Sequence, residues 1–196
     1  NSFKDLEKKY KGLSFTTIMN QGDYINIIIK SVLSSILLGA VLAIIVLALF
    51  LKDIRPTIVV AFSIPFSVLF AIIIMYFTGI NINVMSLAGL CLGIGMLVDN
   101  SIVVMENIYR FRNEGMSASK AAVRGTAQVA GPILASTITT ICVFLPMVYT
   151  SGMVSQLLMP FAFTISYALI ASLLVALTVV PTMGSVLLRK TKDVKQ

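Results

Sequence analysis

The sequence predicts an all-α polytopic membrane protein with five transmembrane helices, preceded by a short α/β piece. Three observations carry this reading. The 196 residues are 58% hydrophobic and only 12% charged, whereas an ordinary soluble domain is about 25% charged. The charges also avoid three long runs, because residues 31–51, 56–98 and 125–188 contain no Asp, Glu, Lys or Arg. A bilayer span needs about 20 apolar residues, so the runs hold one, two and two spans in turn.

Residues 1–29 are the most mixed stretch and read as the end of an external domain. Within them "FKDLEKKYKGL" (3–13) suits a short amphipathic helix and "LSFTTIM" (13–19), rich in β-formers, a strand. "NQGDY" (20–24) reads as a turn with Asp23 near a helix start. The bundle then occupies residues 30–190, with a tail at 191–196. Span one covers 31–51 and stops at "LKDIRP", a loop over 52–56. Span two covers 57–77, and "TGININ" (78–83) turns the chain. Span three covers 84–108 and is followed by the loop "YRFRNEGMSASK" (109–120), with Ser117 as the N-cap of a short helix. Span four covers 127–148, "YTSGMVSQ" turns the chain again, and span five covers 157–187.

Five spans place the 52–56 loop, the 109–124 loop and the C-terminus on one side. That side holds Lys52, Arg55, Arg110, Arg112, Lys120, Arg124, Arg189, Lys190, Lys192 and Lys195, and the two opposite turns hold no Lys or Arg. The positive-inside rule puts the basic side in the cytoplasm and the N-terminal piece outside. It also accounts for the net charge of +7 without nucleic acid as a partner. None of the runs is a signal peptide, since a polar segment precedes the first. With no His, zinc or haem ligation is not expected. Cys91 and Cys142 lie within spans and match no CxxC pattern. No cofactor is implied.

"GIGMLVDNSIVVMEN" (93–107) carries the chemistry. Asp99 lies about 15 residues into span three, where a charged side chain costs at least about 2.5 kcal/mol. Either it is neutral there, or a basic partner or water stabilises its carboxylate. Both states suit a group that gains and loses a proton, and intramembrane acids are functional by default. On a helical wheel Gly89, Gly93, Asn100 and Asn107 share a seam, with Gly95, Asp99 and Glu106 beside it. Leu90, Ile94, Leu97, Val104 and Ile108 lie largely opposite. The small and polar side is therefore expected to face protein and the branched side lipid. Gly89-xxx-Gly93 has the spacing of close-packed membrane helices, and Gly95 is expected to serve helix packing with them. Glu106 reads as a helix-end ion pair with Arg110 or as support for Asp99. The hydroxyl cluster "STITT" (136–140) reads as bonded back to its own helix carbonyls, or as a hydrated wall in which Thr137 and Thr140 face Asp99.

These residues resemble a known family. "GLCLGIGMLVDNSIVVMENIYR" (89–110) is similar to the fourth transmembrane helix of resistance–nodulation–division (RND) efflux transporters, especially the hydrophobic–amphiphilic drug-efflux branch. "LKDIRPTIVVAFSIPFSVL" (51–69) resembles the end of their second helix and the start of the third, and residues 147–183 resemble the passage from the fifth helix to the sixth. The resemblance implies an excerpt running from the end of a periplasmic porter domain through helices two to six, an RND-type half bundle. It implies proton-driven export of hydrophobic or amphiphilic compounds, not an enzyme, with protons as the coupling ion. The expected partners are the remainder of the same transporter chain, two further copies in a homotrimer, the bilayer of the bacterial inner membrane, and a periplasmic adaptor with an outer-membrane channel. Asp99 matches the first of the family's two relay aspartates, and Asn100 stands where the second would be. Asp99 should then titrate as one site, with the Asn100 amide able to bond either form.

Three other readings compete with this one. A SecDF-like protein or lipid exporter shares the fold but, for SecDF, uses a different motif around its acids. An intramembrane aspartyl protease needs GxGD, whereas three residues separate Gly95 from Asp99 and no other span holds Asp. A sterol-sensing-type module would share the membrane helices without transport.

Overall fold

The computed structural model describes residue 10, residues 21–51 and residues 54–188. The helix and strand expected within 3–19, the Lys52–Asp53 step and the tail lie outside the described residues. Among those described there are five long helices and no strand: α1 (Gln21–Leu51), α2 (Ile54–Phe77), α3 (Val84–Asn113), α4 (Ala118–Phe144) and α5 (Met153–Leu187). A 3-10 helix, Leu145–Tyr149, follows α4 directly. Among the described residues, four stretches are long and apolar enough to cross a membrane: Ile54–Phe77, Val84–Asn113, Ala118–Tyr149 and Met153–Leu187. The helix α1, many of whose side chains lie outside the described residues, is not among them.

The helix boundaries differ from the expected ones where charge suggests a chain break. Residues 21–24 already belong to α1, so Asp23 lies in its first turn and not in a loop. Ile54, Arg55 and Pro56 open α2, with proline in the first turn, where its missing N–H costs nothing. Tyr109 to Asn113 extend α3 beyond the apolar run. That helix stops at Gly115, whose φ of 89° only glycine adopts readily. Gly115 N–H donates to Arg112 O at 3.2 Å and Met116 N–H to Phe111 O at 3.2 Å, which closes the end as a Schellman motif. The short helix expected after Ser117 and span four are one helix, α4. Ser117 is its N-cap residue, without a side-chain capping bond.

The start of α3 is fixed by a reciprocal cap. Asn83 Oδ1 accepts from Ser86 N–H at 2.8 Å, and Ser86 Oγ accepts from Asn83 N–H at 2.8 Å. This sets where the motif helix enters the bundle.

Helix α3 packs against α1, α2, α4 and α5, and α5 also lies against α2 and α4. The core between them holds Val59, Val60 and Ile64 of α2, Leu90, Ile94, Val98, Val104, Met105 and Ile108 of α3, and Ala168, Ala171, Ala176 and Val180 of α5. The glycine seam is occupied within this chain. A methyl group at Gly89 would lie 2.8 Å from Phe161 O, and one at Gly93 would lie 2.6 Å from Ala168 Cβ. The expectation that the branched side of α3 faces lipid is thus reversed for Leu90, Ile94, Val104 and Ile108, which are all buried. Leu97's side chain lies outside the described residues. A wheel divides a helix into two faces, but α3 has neighbours on most of its circumference. Both the glycine seam and the branched side are used for packing.

Candidate functional site

One stripe of α3 remains open. Ala88, Leu92, Gly95, Asp99, Val103, Glu106, Arg110 and Asn113 are exposed, at steps of three or four residues down the helix. Asp99 lies near the middle of this stripe and makes no hydrogen bond or ion pair among the described residues. Gly95, one turn above, is not the packing glycine expected, because it lies on this open stripe: a methyl group there would meet no atom of another helix within 4 Å among the described residues. Further up, an open cleft is lined by Ser31 and Ser35 of α1 with Ala88, Cys91, Leu92 and Gly95 of α3. The acid therefore points away from the packed helices and is reached from outside them.

Asn100 points the other way. Its Nδ2 donates to Thr137 Oγ1 of α4 at 3.5 Å and to Ser172 Oγ of α5 at 3.4 Å. The step of one residue along a helix is about 100°, so adjacent side chains do not share a face. The Asn100 amide thus bonds the interior of the bundle and not its neighbour.

The hydroxyl cluster divides. Ser136, Thr139 and Thr140 donate to the carbonyls of Ile133, Ala135 and Ser136 at 3.0, 2.8 and 2.9 Å. Thr137 bonds across to another helix, and it meets Asn100 rather than Asp99. No hydroxyl wall stands opposite the acid among the described residues.

Glu106 lies two turns below Asp99 on the same stripe. It lines an open cleft of about 460 Å³ with Val103, Asn107, Tyr109, Arg110, Asn113 and Val129. Its expected ion pair with Arg110 is not made. Arg110 instead pairs with Glu114 at 3.8 Å, and its Nη2 donates to Gln128 Oε1 at 3.0 Å. The competing carboxylate one turn on and the α4 amide together draw the guanidinium away.

Sequence reasoning missed Gln128, Gly125 and Ser172, and it placed Asn107 on the seam without a role. Asn107 is buried and donates to Gly125 O at 2.7 Å and Gln128 Oε1 at 3.1 Å. A signal was present: an acid followed by Asn occurs twice, at 99–100 and 106–107, seven residues apart. Seven residues are about two helical turns, so the two acids share one side and the two amides another.

Long apolar helices packed around a motif helix that carries acids on its open stripe define a class, that of polytopic membrane proteins. The family model described as the AcrB/AcrD/AcrF family matches residues 3–196. The chain belongs to this family of RND efflux transporters and is a multi-pass membrane protein. It is 36% identical over 191 residues to the swarming motility protein SwrC of Bacillus subtilis (strain 168), covering 96% of this chain and 18% of that protein. It is 37% identical over 168 residues to the multidrug resistance protein MdtC of Escherichia coli (strain K12), covering 86% of this chain and 16% of that one. The crystal structure of a heavy metal efflux pump superposes with a TM-score of 0.76 at 32% identity, over 92% of this chain and 18% of the pump. The chain thus spans less than a fifth of the length of the relatives it matches.

Proposed function

We propose that this segment is the proton-coupling half bundle of an RND exporter that moves hydrophobic or amphiphilic compounds against protons. The observation that carries the reading is the placement of Asp99, a carboxyl group within an apolar helix. Among the described residues it is unpaired, and it lies on the stripe of α3 that its neighbours leave open. Such a group is costly in a bilayer unless a basic residue, another acid or water meets it. In the complete transporter the remainder of the chain covers this stripe and supplies a basic partner. Asp99 then alternates between a neutral form and a carboxylate paired across the bundle. Asn100 beside it adds no second charge, so the site takes up and releases one proton. Glu106 and Thr137 are supporting groups at one remove, and Thr140 is a weaker candidate because its hydroxyl is bonded to its own helix.

The name of MdtC supports multidrug export as the task of the whole protein. Helix α1 completes five spans, the basic loops face the cytoplasm, and the N-terminal segment lies outside the inner membrane. The working unit is a homotrimer, joined to an adaptor and an outer-membrane channel where an outer membrane exists. The test is Asp99→Asn in the full-length protein, read as substrate efflux at matched protein levels. Loss of efflux with normal expression and assembly is expected. Efflux near the parent level would overturn the proposal.

A further inference from the structure

Helix α3 carries two inward amides on the helical side next to its two outward acids, and the lower amide is the better bonded. Asn107 is buried and donates both amide hydrogens to α4, at 2.7 Å to Gly125 O and 3.1 Å to Gln128 Oε1. Gln128 Oε1 also accepts from Arg110 Nη2 at 3.0 Å, so one α4 oxygen gathers two α3 donors. The helices touch at the same level. A methyl group on Gly125 would lie 2.8 Å from Ile108 Cα and 2.9 Å from Ile108 N. Two turns above, Asn100 makes the longer bonds to Thr137 and Ser172. Apolar packing alone leaves a helix free to rotate by small amounts against its neighbours, whereas directed amide bonds do not.

We propose that Asn107, seated at the Gly125 contact and seconded by Asn100, fixes the rotation of α3 against α4 and thereby aims Asp99 and Glu106 outward. Asn107 is a positioning residue: it touches neither the proton nor the exported compound. The side chain at 107 must donate twice, once to a main-chain carbonyl and once to Gln128. Aspartate has nearly the same shape but cannot donate when ionised, and it would set a carboxylate against Gly125 O. Glutamate at 128 keeps an acceptor for both Asn107 and Arg110, whereas leucine removes it.

The inference rests on the proton-coupling reading for its functional part only. Its test uses the full-length transporter in proteoliposomes, with Cys91 and Cys142 replaced and spin labels at Asn113→Cys of α3 and Val123→Cys of α4. Asn107→Asp should broaden the α3–α4 distance distribution. It should also lower the maximal export rate by about tenfold and move the pH of half-maximal export, with KM for the exported compound changed by less than about twofold. Gln128→Glu should retain the narrow distribution and the parent pH profile, and Gln128→Leu should fall between. An unchanged distribution in Asn107→Asp overturns the tie. A broadened distribution with the pH profile unmoved overturns the aiming role. If Asp99→Asn retains export, the proton-coupling reading fails on its own, and the distance measurement still decides the tie.

Discussion

Two glycines in one motif, Gly93 and Gly95, have opposite surroundings. Gly93 is buried where α3 crosses α5, and a methyl group there would lie 2.6 Å from Ala168 Cβ. Gly95 is exposed on the outward stripe, with nothing within 4 Å of a methyl position. The packed side of α3 is filled by helices of this chain, and the outward side is open among the described residues. Small residues serve the first side by letting backbones approach. On the second they leave clearance beside an acid. The motif thus combines a structural seam and an acid-bearing stripe on one helix, separated by roughly a third of a turn.

The strongest way to break that contrast is through the acid. Asp99→Asn should bring efflux of the full-length transporter down to the empty-vector level while leaving its thermal stability in detergent near that of the parent. The asparagine keeps the shape and removes the titration. If the variant instead fails to assemble, Asp99 belongs with the packed side and the division of the helix is wrong.

The packed side is tested by pairing Gly93→Ala with Gly95→Ala. Overpacking a close contact costs about 1–3 kcal/mol, so Gly93→Ala should lower the unfolding midpoint clearly. Gly95→Ala should leave it unchanged and affect export alone. Equal destabilisation by both would mean that the outward stripe is as tightly packed in the whole protein as the α3–α5 seam.

Topology gives the outward stripe a direction across the membrane. Single cysteines at Gly79 and Arg112, in a background lacking Cys91 and Cys142, should react with an impermeant thiol reagent from opposite sides. Arg112 should react from the cytoplasm. Reaction from one side would remove the odd number of crossings between the two positions.

Much of this was legible in the sequence, and the failures have a common cause. The charge-free runs located the membrane helices, since α2 ends at Phe77 and α3 begins at Val84, as expected. Asp99 and its motif pointed to the transporter family. Charge, however, marks where a helix leaves the bilayer and not where it stops. Arg110 and Arg112 therefore read as loop although α3 runs on to Asn113. The glycine of the Schellman end, Gly115, was the better signal. The wheel failed at Leu90, Ile94, Val104 and Ile108 because one sequence shows the pattern on a helix and not how many neighbours surround it. The partners of Asn107 on α4 are 18 and 21 residues away in sequence, and no spacing rule connects them.

The smallest effect is expected at Glu106, and it separates the two acids of the outward stripe. Glu106 is exposed and lines an open cleft, and the cation one turn away is already held by Glu114 and Gln128. Neutralising it strands no partner, so Glu106→Gln should leave the unfolding free energy within about 0.5 kcal/mol of the parent. Its position toward the basic end of α3 also gives it a weaker claim on the membrane interior than Asp99 has. Export should fall modestly, by less than about threefold, because the cleft at Glu106 is open and water reaches it with or without the carboxylate. The measurement is the initial export rate at matched protein, run beside Asp99→Asn. If Glu106→Gln is as inactive as Asp99→Asn, the open stripe carries two required acids seven residues apart, and the proton passes along the helix rather than stopping at one site.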